Sequence, residues 1–211
     1  MEWIMSACVG VGLAACCGFR IFVPMLVAAA ATHFGLIGTM PGFEWLGSWT
    51  AIIGLSIATS VELVAYYIPW VDNILDAIAM PVSVIAGTLL STSFLRVDDS
   101  MVRWCMGLML GGGSAGIVQA GTSLLRLGST ATTGGLANPV VATSENAASL
   151  GLSVLMVFLP LVAFAAVLCI VLFFAFRLLG RRRLSFTKAD VPLTPPAPLA
   201  PPPPSLPEDE R

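Results

Sequence analysis

QAGTSLLRLGSTATTGGLANPVVATSEN, residues 119–146, carries an Arg, a Glu, a Gln, two Asn and a dense run of Gly, Ser and Thr between strongly apolar flanks. Polar backbone and charges inside a lipid-embedded region survive only where they are buried in protein or line a wet cavity. The stretch therefore reads as the working part, and the rest of the chain as scaffold around it. That scaffold is 57% hydrophobic and only 10% charged, with a mean hydropathy of +0.91, whereas in soluble domains roughly a quarter of residues are charged. The fold class is all-α, a polytopic transmembrane helix bundle with about five spans of roughly 20 residues each.

Within the stretch, Gln119, Thr122, Ser123 and Arg126 stand at i, i+3, i+4 and i+7, one stripe of a helix. Such a stripe on a membrane helix points inward. The helix predicted around it runs from Trp104 to about Leu127, and Gly111, Gly112, Gly113 and Gly116 suit close approach to a neighbour. The expected neighbour is the first span, with its equally small Gly10, Gly12, Ala14 and Ala15. Residues 128–138 read as an irregular Gly/Ser/Thr-rich segment. Asn138 is placed to cap a new helix that opens with Pro139. Thr143, Glu145 and Asn146 then fall in the protein interior, Pro160 splits the long segment 139–180, and residues 149–176 cross the bilayer.

Upstream, residues 3–31 read as a retained first span, interrupted near Gly18-Phe19-Arg20 and again at Pro24. Arg20 at that depth costs ~3 to more than 10 kcal/mol unless it is paired, so it is expected to face a carboxylate. The second span, 49–68, contains Glu62. Pro69 closes it, and Asp72 or Asn73 caps the third span, 73–95, which Pro81 kinks. Glu62 supplies one candidate partner for the arginines and Glu145 the other. Asp72 and Asp76 read as helix-start residues or as a secondary acidic mouth for a cation or proton.

The arginines at 177 and 181–183 are a stop-transfer cluster on the cytoplasmic side. Five spans put the N-terminus outside, and Arg96 and Arg103 inside with the C-terminus. Residues 1–188 read as one transmembrane domain, and 189–211 as a disordered proline-rich cytoplasmic tail. A faint echo at an offset of 101 residues relates Trp3, Gly10, Gly12 and Ala14 to Trp104, Gly111, Gly113 and Ala115.

Other chemistry is sparse. The single His33 has no adjacent ligand, and the five cysteines lie in apolar runs without a C-x-x-C pair. No metal and no cofactor are implied. The net charge of −2 argues against nucleic acid. No catalytic residues are assigned: H-E-x-x-H is missing, and the G-x-S-x-G match at 112–116 and the S-x-x-K match at 185–188 have no histidine base near them in the sequence.

Four blocks in order, CGFRIFVP (17–24), YYIPWVDNILD (66–76), GGGSAGIVQ (111–119) and STATTGGLANP (129–139), resemble an uncharacterised bacterial integral-membrane family catalogued as domain of unknown function 4126. The resemblance covers roughly residues 1–180 and implies a single domain in the bacterial inner membrane. It supplies no activity. Three functions compete: a small channel or transporter for a small solute or ion with an anion among the options, a non-catalytic scaffold or assembly subunit, and an intramembrane enzyme. The polar centre for the first comprises Arg20, Glu62, Gln119, Thr122, Arg126, Asn138 and Glu145. Expected partners are the lipid bilayer and that solute or ion, with a homo-oligomer left open.

Overall fold

The computed structural model describes residues 2–134 and 136–189, apart from the side chains of residues 2, 69–70, 72–74, 76–77 and 179–189. Two compact units divide the chain, Met1–Leu178 and Leu179–Arg211. The first is a helical bundle, and no strand occurs among the described residues. Its elements are α1 (Glu2–Cys16), α2 (Phe22–His33), a 3-10 turn (Glu44–Gly47), α3 (Trp49–Ala65), α4 (Pro69–Phe94), α5 (Ser100–Met106), a π-helical turn (Gly107–Gly112), α6 (Gly113–Thr133), α7 (Asn138–Phe158) and α8, which begins at Pro160.

The expected first span is instead a hairpin. Met5 and Val9 near the start of α1 line a cavity together with Leu36 and Ile37, just past the end of α2. The connection between the two helices lies deep in the bundle, where Arg20 meets Ala142 and Asn146 of α7. At ~1.5 Å per residue, α1 and α2, of 15 and 12 residues, go in by about 22 Å and come back by about 18 Å. Pro24 does not interrupt this run. It is the third residue of α2, within the first turn, where a missing N–H leaves no helical bond unmade.

The other helices traverse the bundle between the end that holds Met5, here the near end, and the opposite, far end. α3 starts at the near end, where Trp49 stacks on His33 with ring centroids 4.6 Å apart, and reaches the hairpin tip at Glu62. α4 comes back, its Ser93 carbonyl accepting from the Met40 N–H at 2.8 Å. α5 and α6 run away again as one rod, from Trp104 beside Phe43 to Thr122 beside Gly18. α7 returns to the cavity at Val157, and α8 leaves it at Pro160, passing Gly121 with Phe174. Leu159, forced off the helical region ahead of Pro160, has φ −133° and ψ 64° and separates the two.

By length and composition, Ser100–Thr133, Asn138–Phe158 and Pro160–Leu178 can cross a membrane, while Trp49–Ala65 and Ile78–Phe94 are shorter apolar helices. The outer face of α3 exposes Trp49, Ile53, Ile57, Val61 and Val64, a stripe that suits lipid and not water.

Several boundaries differ from expectation. α4 begins at Pro69 behind Ile68 as its cap residue, because the fixed φ of proline suits a first helical position; Asp72 and Asn73 fall inside the helix and not at its cap position. Pro81 falls inside α4, as expected, and the helix runs on past it. Residues 128–133 are helical and not irregular: the Thr132 and Thr133 hydroxyls donate to carbonyls of Gly128 and Ser129 within the helix, and the chain turns only at Gly134, with φ +64°. α7 starts at Asn138 with Ala137 in the cap position. The Asn138 amide does not cap; it donates to Thr130 Oγ1 at 3.2 Å and ties the turn together. Because the hairpin returns to its own end and 139–180 makes two passages, Arg96 and Arg103 lie at the near end, opposite Arg177, and not beside it.

The glycine-rich segment packs chiefly on α4. A Cβ on Gly87 would fall 2.7 Å from Ala115 Cβ, 2.8 Å from the Gly111 carbonyl oxygen and 3.3 Å from that of Ala14, so α1 and the π turn both close directly on α4 backbone. The first span is thus only the second neighbour of these glycines. Ala14 and Ala115, equivalent in the 101-residue echo, meet the same Gly87 from two sides. Gly113 has nothing within 4 Å.

Candidate functional site

The hairpin tip, residues 17–21, sets the geometry. Gly18 lies so close to α6 that an added Cβ would come within 2.5 Å of the Ala115 carbonyl oxygen and 2.9 Å of the Gln119 nitrogen. Nothing larger than glycine fits, and the chain leaves the helix here. α2 then begins with exposed backbone donors deep in the bundle, a situation that needs an acceptor. Glu62 of α3 supplies it: its Oε1 accepts from the Ile21 N–H at 2.7 Å and its Oε2 from the Phe22 N–H at 3.0 Å. The carboxylate acts as a cap delivered from another helix, and its charge sits on the positive end of the α2 dipole.

Arg20, between the two helices, is 1% exposed. Its Nε donates to Asn146 Oδ1, its Nη2 to the Ala142 carbonyl at 3.2 Å and its Nη1 to the Phe19 carbonyl at 3.3 Å. Nη1 also lies 3.1 Å from Glu145 Oε2. Arg126 of α6 approaches the same carboxylate from the other side, through Nε to Oε1 at 3.3 Å and Nη2 to Oε2. Two guanidiniums therefore share Glu145. Tyr66 completes the cluster, with the Arg20 and Arg126 Cζ atoms 3.7 and 4.4 Å from its ring centroid. Such contacts contribute about 0.5–2 kcal/mol each.

Among the described side chains, two arginines stand with Glu145 and Glu62, and all four are at most 6% exposed. Isolated, each charge would cost several kcal/mol at this depth. Arranged in this way, cations and donors converge on a place held by carboxylates that arrive on separate helices.

The remaining residues singled out from the sequence divide. Thr122 bonds the Gln119 carbonyl at 3.0 Å and reaches the Gly18 carbonyl at 3.5 Å, so it steadies the tip without touching a charge. Gln119 is buried and donates to Ser123 at 3.4 Å. Asn138 lies apart, at the α6–α7 turn. The side chains of Asp72 and Asp76 lie outside the described residues. Tyr66 and Asn146 were not placed among the site residues by sequence, although Tyr66 follows Glu62 by four positions and Asn146 is adjacent to Glu145. Among the described residues no group of three His, Cys, Asp or Glu side chains could hold a metal ion.

Comparison with known proteins gives no match among curated proteins and none among solved structures. A family model, Domain of unknown function (DUF4126), matches residues 7–181, and the chain, helical and charged at its centre as described, belongs to that family.

Proposed function

We propose that this membrane protein is a small transporter or channel, and that the hairpin tip is where it takes a small anion. The observation that carries the reading is Arg20, held on broken backbone deep in the bundle beside Arg126 and the N-terminus of α2. Straight helices can be locked together without interrupting one of them, whereas solute sites in transporters recurrently use half-helices whose N-termini and unwound backbone face the ligand. Charged residues at such depth are a functional site by default. In the state described, Glu145 and Glu62 occupy the positions an anion would take. An entering oxyanion or carboxylate displaces Glu145 from between the two guanidiniums, whose planar forks match it.

The far end carries Arg177, which in sequence leads into the arginines at 181–183, while the near end sets Arg96 and Arg103 against Glu44, Asp98 and Asp99. The bias favours a cytoplasmic far end with the C-terminus there, in a bacterial inner membrane. A second reading, a scaffold or assembly subunit, draws support from the enclosure of all four charges. Flux into proteoliposomes, screened across small inorganic and organic anions and against monovalent cations, separates the two. Anion flux that disappears in Arg126→Ala, with folded protein still recovered, supports transport. Folded wild-type protein that carries none of these solutes leaves the scaffold reading in place.

A further inference from the structure

Resting on the transport reading, we infer that one face of α7 forms the wall of a hydrated path between the charged cluster and the near-end cavity, and that Met156 closes it. Glu145, Ser149 and Ser153 stand at i, i+4 and i+8 of α7 and share one side of the helix. Ser149 and Ser153 are both 0% exposed; the Ser149 Oγ has no hydrogen-bond partner, and the Ser153 Oγ has no oxygen or nitrogen partner, only the Cys16 thiol. Buried hydroxyls in proteins are almost always satisfied, by protein or by ordered water. One orphaned hydroxyl and one held only by a thiol, stacked in line with a buried carboxylate, mark places for water molecules between the helices. The Cys16 thiol lies beside Ser153, and a thiol is a weak partner for a hydroxyl.

One turn further along, Val157 lines the cavity of about 400 Å³ that also borders Met5, Val9, Leu36 and Phe94. A ligand pocket holds roughly 300–1,000 Å³, so the cavity is large enough to serve as a vestibule. Met156, fully buried, seals the step between Ser153 and that vestibule: its Sδ lies 2.6 Å from the place a Cβ on Gly12 would occupy. Gly12 is the notch into which the thioether fits. An unbranched methionine with three rotatable bonds can leave such a notch without moving backbone. The path therefore runs from the vestibule past Met156 to Ser153, Ser149 and the Arg20–Glu145 pair, and it is shut in the state described.

The test measures thiol accessibility in the full-length protein in native membranes, with exposed Cys105 and Cys169 replaced by alanine. Ser149→Cys and Ser153→Cys change one atom, and a small anionic methanethiosulfonate, matched to the charge of the proposed solute, is the probe, read by intact mass. Both cysteines should react at least tenfold faster than a control at Ser83→Cys, a fully buried serine on α4. Adding Met156→Ala should raise their rates a further fivefold or more, and Met156→Leu, which keeps the volume but stiffens the side chain, should lower them. Rates equal to the Ser83→Cys control in all three backgrounds would overturn the path. Labelling needs no solute, so a protein that labels as expected yet carries no anion loses the transport reading and keeps the path, whereas flux without labelling loses only the path.

Discussion

Glu145→Gln is the perturbation that bears most heavily on the charged cluster. The substitution preserves shape and one carbonyl acceptor and removes a carboxylate that touches both Arg20 and Arg126. Unit charges about 4 Å apart attract by about 4 kcal/mol at an effective dielectric near 20, and Glu145 makes two such pairs. Retained hydrogen bonds and rearrangement return part of this, so the net loss should fall at about 3–5 kcal/mol, as for other buried pairs that lose one partner. Glu62 cannot replace it, because both of its oxygens are engaged by the Ile21 and Phe22 N–H groups. Denaturant-induced unfolding in detergent, followed by tryptophan fluorescence, measures the change. Adding Arg126→Gln to Glu145→Gln restores the charge balance and should recover at least about 1 kcal/mol, a coupling that the double-mutant cycle isolates. A single-mutant loss below about 1 kcal/mol, or no recovery in the double mutant, would refute the reasoning.

Other substitutions test the hairpin and the tail. Gly18→Ala should destabilise the bundle by about 1–3 kcal/mol, since its Cβ would strike backbone atoms of α6; Gly151→Ala, with nothing within 4 Å, should be neutral or gain up to about 1 kcal/mol of helix propensity, and a thermal-shift comparison of the two is sufficient. Truncation after Lys188 should leave the melting temperature unchanged, because a segment so rich in proline can bury little apolar surface; a drop of several degrees would show that the tail takes part in the fold.

How far the sequence alone could reach is instructive in particular places. The pairing of both arginines with Glu145 was legible because the cost of an unpaired charge in lipid leaves few options, whereas Glu62, the other expected partner, instead accepts from the backbone at the start of α2. The direction taken after Arg20 was not legible. An apolar run of 29 residues, 3–31, would extend over ~44 Å as one helix, well beyond a core of about 30 Å, and that excess was a clue. Whether such a run tilts, kinks or doubles back depends on contacts from distant helices, here Glu62 and the α7 face. The helical extension to Thr133 was hidden for a similar reason: Ser, Thr and Gly have low helix propensity, and the Thr132 and Thr133 hydroxyls find partners on carbonyls of the same helix, which composition does not reveal.

The account rests on the hairpin, and side-specific labelling tests it most directly. Trp3→Cys and Gly38→Cys belong at the near end, and Leu136→Cys, 86% exposed, at the far end; Gly38 has open space for the new side chain. With Cys105 and Cys169 replaced by alanine, an impermeant maleimide applied to right-side-out and to inverted vesicles reads the side of each position. The re-entrant fold predicts that Trp3→Cys and Gly38→Cys label from one face of the membrane and Leu136→Cys from the other. Labelling of Gly38→Cys from the face opposite Trp3→Cys would show that residues 3–31 cross the bilayer as a single span, and would contradict the account.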